Sequence, residues 1–187
     1  AFEVADPTVK RKSGFLFPGI SFNSELGAGV HIPYYLALSP TYDATLYGNY
    51  YANQGFLGAA EWRQRFNSGQ YSIKIAGIRQ QRPDKFGFGG INAGTLADPN
   101  RLRGMIGTKG YFQINPRWTF GWDVLAQTDK NFAYTYRIGG YNDYIHRSQI
   151  FLTGLSGRNF FDVRAFRFEV QEDLVDGATN ARNDLQP

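Results

Sequence analysis

Between Trp118 and Gln127 the even positions carry Trp118, Phe120, Trp122, Val124 and Ala126, and the odd positions carry Thr119, Gly121, Asp123, Leu125 and Gln127. Successive side chains of an extended chain point to opposite sides, so a period of two marks a strand with unlike faces. The pattern recurs along the chain. Tyr42, Ala44, Leu46, Gly48 and Tyr50 share one parity. Phe56, Gly58, Ala60, Trp62, Gln64 and Phe66 stand against Glu61, Arg63 and Arg65. Tyr71, Ile73, Ile75 and Gly77 stand against Ser72, Lys74, Ala76 and Ile78, and Ile106 and Phe112 against Lys109 and Gln113. Two later segments are less regular. Residues 145–155 show no clear apolar face. Residues 160–170 switch from Phe161, Val163 and Ala165 to Phe166, Phe168 and Val170, which predicts a β-bulge near Ala165. With two opening stretches, 13–24 and 27–38, the chain reads as about nine strands of roughly ten to twelve residues. A short strand around residues 1–5 precedes them.

The composition agrees with strands. Aromatics make up 17% of the 187 residues, beside 22 glycines and one methionine, a mixture that favours sheets and tight turns over helices. Mean hydropathy is −0.40, and no stretch approaches the ~20 apolar residues of a helical membrane span. A transmembrane barrel remains open, because its strands alternate lipid-facing and lumen-facing side chains. The chain opens at Ala1 with no apolar leader segment and reads as a mature or excised piece. It has no cysteine, which rules out disulfides within it and leaves the redox compartment undecided.

Connections sort by length. Tight turns are expected at residues 24–26, 39–41, 53–54, 67–69, 115–117 and 156–158, and long connections at 81–102 and 128–143, with a polar tail from Gln171. Beyond Gly69 the long segments fall on one end of the sheet and the short turns on the other, as in outer-membrane barrels. Tyr42, Tyr50, Phe56, Phe66 and Trp118 sit at strand ends on the apolar parity, where amphipathic rings suit a membrane interface. His31, Glu61, Arg63, Arg65, Lys74, Lys109 and Asp123 sit on the opposite parity and are expected to face the lumen. The fold class is therefore all-β, antiparallel transmembrane β-barrel strands, about nine of them in a meander.

Pro18 and Pro33 lie inside the two opening stretches. Proline cannot donate a ladder hydrogen bond and is confined to strand starts, edges and bulges. Weak pairing at the start of a barrel predicts a seam that can open, with Pro18 and Pro33 as its lateral gate.

Catalytic chemistry finds little support. With two histidines, His31 and His146, and no cysteine, no Cys/His nucleophile pair or His-rich metal site is expected. The Gly-rich run at residues 87–94 lacks the Gly-Lys-Ser/Thr of a phosphate loop and reads as an ordinary loop. The net charge of +4 is spread along the chain apart from Lys10, Arg11 and Lys12, a run too short for a nucleic-acid surface. No catalytic residue, metal or cofactor is expected.

The run Arg11-Lys-Ser-Gly-Phe-Leu-Phe-Pro18, followed by Ile32-Pro-Tyr-Tyr-Leu-Ala-Leu-Ser-Pro-Thr-Tyr-Asp-Ala-Thr45, resembles the opening of the barrel of the LptD family of lipopolysaccharide-assembly outer-membrane proteins. The likeness is specific over residues 10–66 and looser beyond. It implies that residues 1–9 end a periplasmic β-jellyroll and that residues 10–187 form the first third of a barrel near the ~26-strand end of the range. It also implies lipopolysaccharide released sideways into the outer leaflet of the bacterial outer membrane, between first and last strands. The implied partners are lipopolysaccharide, a lipoprotein plug of the LptE kind and a periplasmic bridge protein of the LptA kind. The alternatives are a small closed outer-membrane barrel acting as a pore or adhesin, which strand count distinguishes, and a soluble β-sandwich.

Overall fold

The computed structural model describes residues 11–82 and 102–171, with the backbone of Leu185–Gln186. The short strand expected around residues 1–5, the jellyroll end at 1–9, the Gly-rich run at 87–94 and most of the 81–102 connection lie outside the described residues. Eleven strands form one antiparallel sheet: β1 (Gly14–Phe15), β2 (Gly19–Asn23), β3 (Gly27–Leu36), β4 (Tyr42–Tyr51), β5 (Gly55–Phe66), β6 (Gly69–Arg79), β7 (Leu102–Asn115), β8 (Trp118–Gln127), β9 (Ile145–Ser156), β10 (Asn159–Val170) and β11 (Leu185–Gln186). β1 and β2 are two halves of the expected first strand and both pair with β3; from β3 to β11 each strand pairs with its neighbour in sequence. No described strand joins β1–β2 to β10–β11, so the sheet is open, as part of a β-barrel wall is. No described helix is long and apolar enough to cross a membrane, which says nothing of strands.

The hairpins are set by local chemistry. Asn23 Oδ1 accepts from the N–H of Glu25 and of Leu26 at 2.7 and 3.1 Å, and Asn115 Oδ1 accepts from Arg117 and Trp118 at 2.9 and 3.0 Å. Such Asx turns substitute a side chain for a turn carbonyl. Gly27 enters β3 at φ +78 and Gly55 enters β5 at φ +92, conformations that L side chains avoid.

The parity of each strand carries through the ladder. Tyr50 lies opposite Phe56, Ala60 opposite Ile75, Ile75 opposite Ile106, and Trp122 opposite Ile150, so the apolar parities share one face, the outer one. The other face, here the inner one, carries Asp43, Glu61, Lys74, Lys109 and Asp123. At the end of the sheet where the 128–143 connection leaves it, this face also carries Tyr51, Leu57, Ile78, Met105 and Leu125, all buried.

What buries them is residues 128–143, expected only as a long connection. This segment makes one helical turn, α1 (Phe132–Thr135), and adds Phe132, Ala133, Tyr136, Ile138 and Tyr141 to the same core. The parity switch near Ala165 has a different cause from the bulge expected there. The β9–β10 ladder runs from Asn159–Ser156 to Val170–Ile145 with no register shift. The β8–β9 ladder instead ends at Asp123–Gln149. Beyond it β9 and β10 change faces together, so that His146 approaches Asp123 and Glu169 bonds Gln127 on the inner side.

Candidate functional site

The first strand is broken where its proline lies. Gly14 pairs with Tyr35 and Gly19 with His31, so the chain advances five residues while β3 advances four. The extra residue makes residues 16–18 a β-bulge on the free edge. The bulge also explains why the outward apolar positions pass from odd, Phe15, to even, Ile20 and Phe22. Leu16 N–H donates to the carbonyl of Pro33 at 2.9 Å. In an antiparallel ladder a residue's N–H and C=O point to the same neighbour, so Pro33 turns its missing donor toward the first strand. It faces Tyr47 of β4 without loss to that ladder. Both prolines thus weaken one pairing. The edge is bare: Phe15, Ile20 and Phe22 are each at least 76% exposed, and Phe17, within the bulge, 98%.

Side chains hold this edge where backbone bonding lapses. Ser21 Oγ lies 2.8 Å from His31 Nε2, and His31 Nδ1 lies 3.1 Å from Asn49 Oδ1, a row that crosses β2, β3 and β4. Ser13 Oγ accepts from Ala37 N–H at 2.8 Å, and Arg11 reaches Asp43 at 3.1 Å. His31 is therefore an inner-face hydrogen-bonding group.

The charges expected on the inner face, apart from Arg65, fall into two clusters. Arg63 bridges Asp43 and Glu61, Lys74 reaches Glu61 at 3.1 Å, and the Tyr47 hydroxyl donates to Glu61 at 3.1 Å. Lys109 meets Asp123 at 3.0 Å, with buried His146 3.6 Å from the same carboxylate. Arg65 stands apart, exposed at the short-turn end, beside a hollow that it shares with Gln70 and Tyr111. Partly exposed pairs of this kind add little stability, on the order of 0–1 kcal/mol each. Their effect is a polar wall in which most charges are matched.

Residues 128–143 are fastened to that wall at several points. Arg103 forms a bidentate pair with Asp129 at 2.7 and 2.5 Å and bonds Asn131 at 3.0 Å. Lys74 and Lys109 donate to the carbonyls of Gly139 and Gly140 at 2.7 and 2.8 Å. Gln171 Nε2 donates to the carbonyls of Tyr141 and Asp143, and its Oε1 accepts from Tyr134 N–H. Burial pushes the Tyr136 hydroxyl above its ordinary pKa. Burial, then the charges of Asp123 and Glu61, push Tyr141 further in the same direction.

On the outer face, aromatic rings touch across strands toward the short-turn end. Tyr42 stacks on Trp62 at 5.2 Å, Phe66 meets Tyr71 and Phe112, Phe112 stacks on Trp122 at 5.8 Å, and Trp118 meets Phe161 edge-on at 5.5 Å. Tyr50 and Phe56 face each other at the opposite end. Of the five expected interface aromatics, Tyr42, Phe66 and Trp118 join this row and Tyr50 and Phe56 lie apart. Trp62, Tyr71, Phe112, Trp122 and Phe161 belong to the row without having been singled out; their shared parity and the hairpin registers together would have marked them.

An open antiparallel sheet with an apolar, aromatic-banded outer face and a polar inner face defines a β-barrel wall. A family model described as LptD, LPS transport system D, matches residues 101–185, the half in which the motif likeness was looser. The LPS-assembly protein LptD of Pseudomonas aeruginosa (strain UCBPP-PA14) is 32% identical over 120 residues, 64% of this chain and 12% of the relative. The protein of the same name from Xylella fastidiosa (strain Temecula1 / ATCC 700964) is 33% identical over 109 residues, 58% of this chain and 12% of its own. That of Ectopseudomonas mendocina (strain ymp) is 37% identical over 76 residues, 41% and 8%. The matches cover between about a twelfth and an eighth of the length of these relatives, and they fit a fragment of an LptD-family protein.

Proposed function

We propose that this chain supplies the opening strands of an outer-membrane barrel that delivers lipopolysaccharide to the outer leaflet, and that its interrupted first strand is one lip of a lateral gate. The observation that carries the reading is the bulge at residues 16–18 facing Pro33. One proline breaks the edge strand and the other withholds the donor that would mend it. Each missing bond lowers the cost of parting the strands by ~1 kcal/mol. The bare apolar residues of β1 and β2 face the lipid, and the polar inner wall suits a hydrated sugar chain. The matched relatives are LPS-assembly proteins by name, which supports the same substrate. On this reading residues 1–9 close a periplasmic jellyroll and residues 10–187 begin the barrel. Tyr42, Tyr50, Phe56, Phe66 and Trp118 sit at the membrane interfaces. His31, Glu61, Arg63, Arg65, Lys74, Lys109 and Asp123 face the lumen, where an LptE-like lipoprotein sits, and an LptA-like bridge feeds the barrel from the periplasm. The role is transport without covalent chemistry.

The test places photo-crosslinking residues beside Pro18 and Pro33 in the full-length protein in cells. Crosslinks to lipopolysaccharide at the seam support lateral release; crosslinks confined to other inner-face positions favour a generic pore. Replacing both prolines with valine should reduce gate opening by roughly thirtyfold, two bonds at ~1 kcal/mol each. Unchanged delivery of surface lipopolysaccharide in that variant would sink the gate assignment.

A further inference from the structure

A hollow of about 380 Å³ opens on the inner face beside the interrupted strand. One wall is the row of Ser21, His31 and Asn49, another is Tyr47 and Tyr51, and the third is the docked segment from Tyr136 to Gly139. Lys74 and Arg137 line it, and no aspartate or glutamate does. Lys74 is partly matched by Glu61 and the Gly139 carbonyl. Arg137 is not: its guanidinium has no hydrogen bond or ion pair among the described residues. Glu25 shares only the adjoining hollow with it.

The backbone of Arg137 is as unusual as its charge. It has φ +50, the one non-glycine residue with positive φ among those described. It follows α1 at the left-handed position that ends a helix, with its own N–H bonded to Tyr134 and the N–H of Ile138 bonded back to Ala133 at 2.9 Å. Glycine is the low-strain occupant of that position. Burial of Tyr136 and Ile138 on either side enforces the turn and leaves the Arg137 side chain at the mouth of the hollow. A strained arginine where glycine would serve, its guanidinium in no hydrogen bond or ion pair among the described residues and facing a cavity without carboxylates, points to an anionic ligand.

We propose that this hollow binds a sugar phosphate, with Arg137 taking the phosphate and Tyr47, Tyr51, Asn49 and His31 lining the sugar. The inference rests on the reading that lipopolysaccharide passes this edge and names the part of the substrate that the inner face holds there.

Glucose 1-phosphate, glucose and glycerol 3-phosphate are titrated calorimetrically into the full-length protein in detergent. Glucose 1-phosphate should bind at least tenfold more tightly than either of the others. Arg137→Gly, which suits the backbone and removes the charge, should weaken it tenfold or more, about 1.4 kcal/mol, without lowering the melting temperature. Arg137→Lys should retain most of the affinity, and Arg117→Gln, exposed in the β7–β8 turn, should change nothing. Equal binding of glycerol 3-phosphate would assign the site to phospholipid headgroups and overturn the proposal, as would unchanged binding in Arg137→Gly. In cells, a crosslinker at position 137 should capture lipopolysaccharide. Capture beside Pro18 but not at 137 overturns this inference and leaves the gate standing. Capture at neither overturns the transport reading, while Arg137-dependent binding of glucose 1-phosphate would still uphold the site.

Discussion

Replacing Arg103 with methionine should release residues 128–143 from the inner face. The Arg103 and Asp129 side chains are 4% and 1% exposed, and two hydrogen bonds join them. The guanidinium also lies 5.6 Å from the ring centroids of both Phe132 and Tyr136. Methionine fills similar volume but strands a buried carboxylate, a loss of roughly 3–5 kcal/mol. The sheet does not have to bear that loss, because the segment can undock and hydrate Asp129. The cost then emerges as a rise of roughly a hundredfold to several-thousandfold in the undocked population. Hydrogen exchange reads this directly. The Ala133 and Tyr134 amides donate to the side chains of Gln127 and Gln171, both at 3.0 Å, and those bonds exist only when the segment is docked. In the full-length protein, a peptide covering these amides should lose most of its protection in Arg103→Met, while β5 and β6 peptides keep theirs. Arg103→Met with Asp129→Leu removes both charges and should restore most of it. Protection within threefold of wild type in the single variant would refute the claim that this pair holds the segment down.

Gly107 tests the packing of the same segment. A Cβ there would lie 2.3 Å from the Tyr141 ring, so Gly107→Val should displace Tyr141 and raise exchange at residues 138–141, while Gly77→Ala, whose nearest neighbour is 3.6 Å away, should not. Alkaline pH tests the buried phenols. Tyr136 and Tyr141 have folded pKa values raised above the unfolded value near 10, so the docked state holds their protons more tightly. Their contribution is fully present below about pH 10 and is lost as pH rises through the folded values. Protection of the segment should stay level from neutral pH to about 9 and fall above 10, and Tyr141→Phe should blunt the fall.

Most of the sheet could be read from the chain because its faces differ so sharply. Strands with one apolar and one charged parity, such as residues 56–66 and 118–127, appear where expected. The Asx-turn asparagines and left-handed glycines set the hairpins between them. The break in the first strand was legible as a proline. Its effect on register was not, since a one-residue bulge shows only against the partner strand. The docking of residues 128–143 was harder still. Its apolar residues follow neither a period of two nor a full helix, and the surface that buries them comes from strands β4 to β8. Arg137 left no trace at all, because a left-handed arginine looks in sequence like any other loop cation.

The sheet is stiff and loose in different places, and the two regions adjoin. β5 and β6 share ten register pairs without interruption. Their neighbours are knitted by rings seated over glycines: Trp122 lies against Gly110, Phe151 against Gly121 and Trp118 against Gly154. A Cβ at any of these glycines would lie less than 3 Å from the ring, so the strands beneath cannot shift without unseating an aromatic. The first strand has two register pairs in β1 and five in β2, with a bulge between them, and relies on Ser21, His31, Asn49 and Ser13 for the rest. On the proposed gate reading, this edge of the sheet parts first at β1 and β2. The docked segment extends to that edge through Arg137 and Gly139, which line the same hollow as Ser21 and His31. Parting the first strand removes one wall of that hollow, so a ligand bound there would oppose opening until it left.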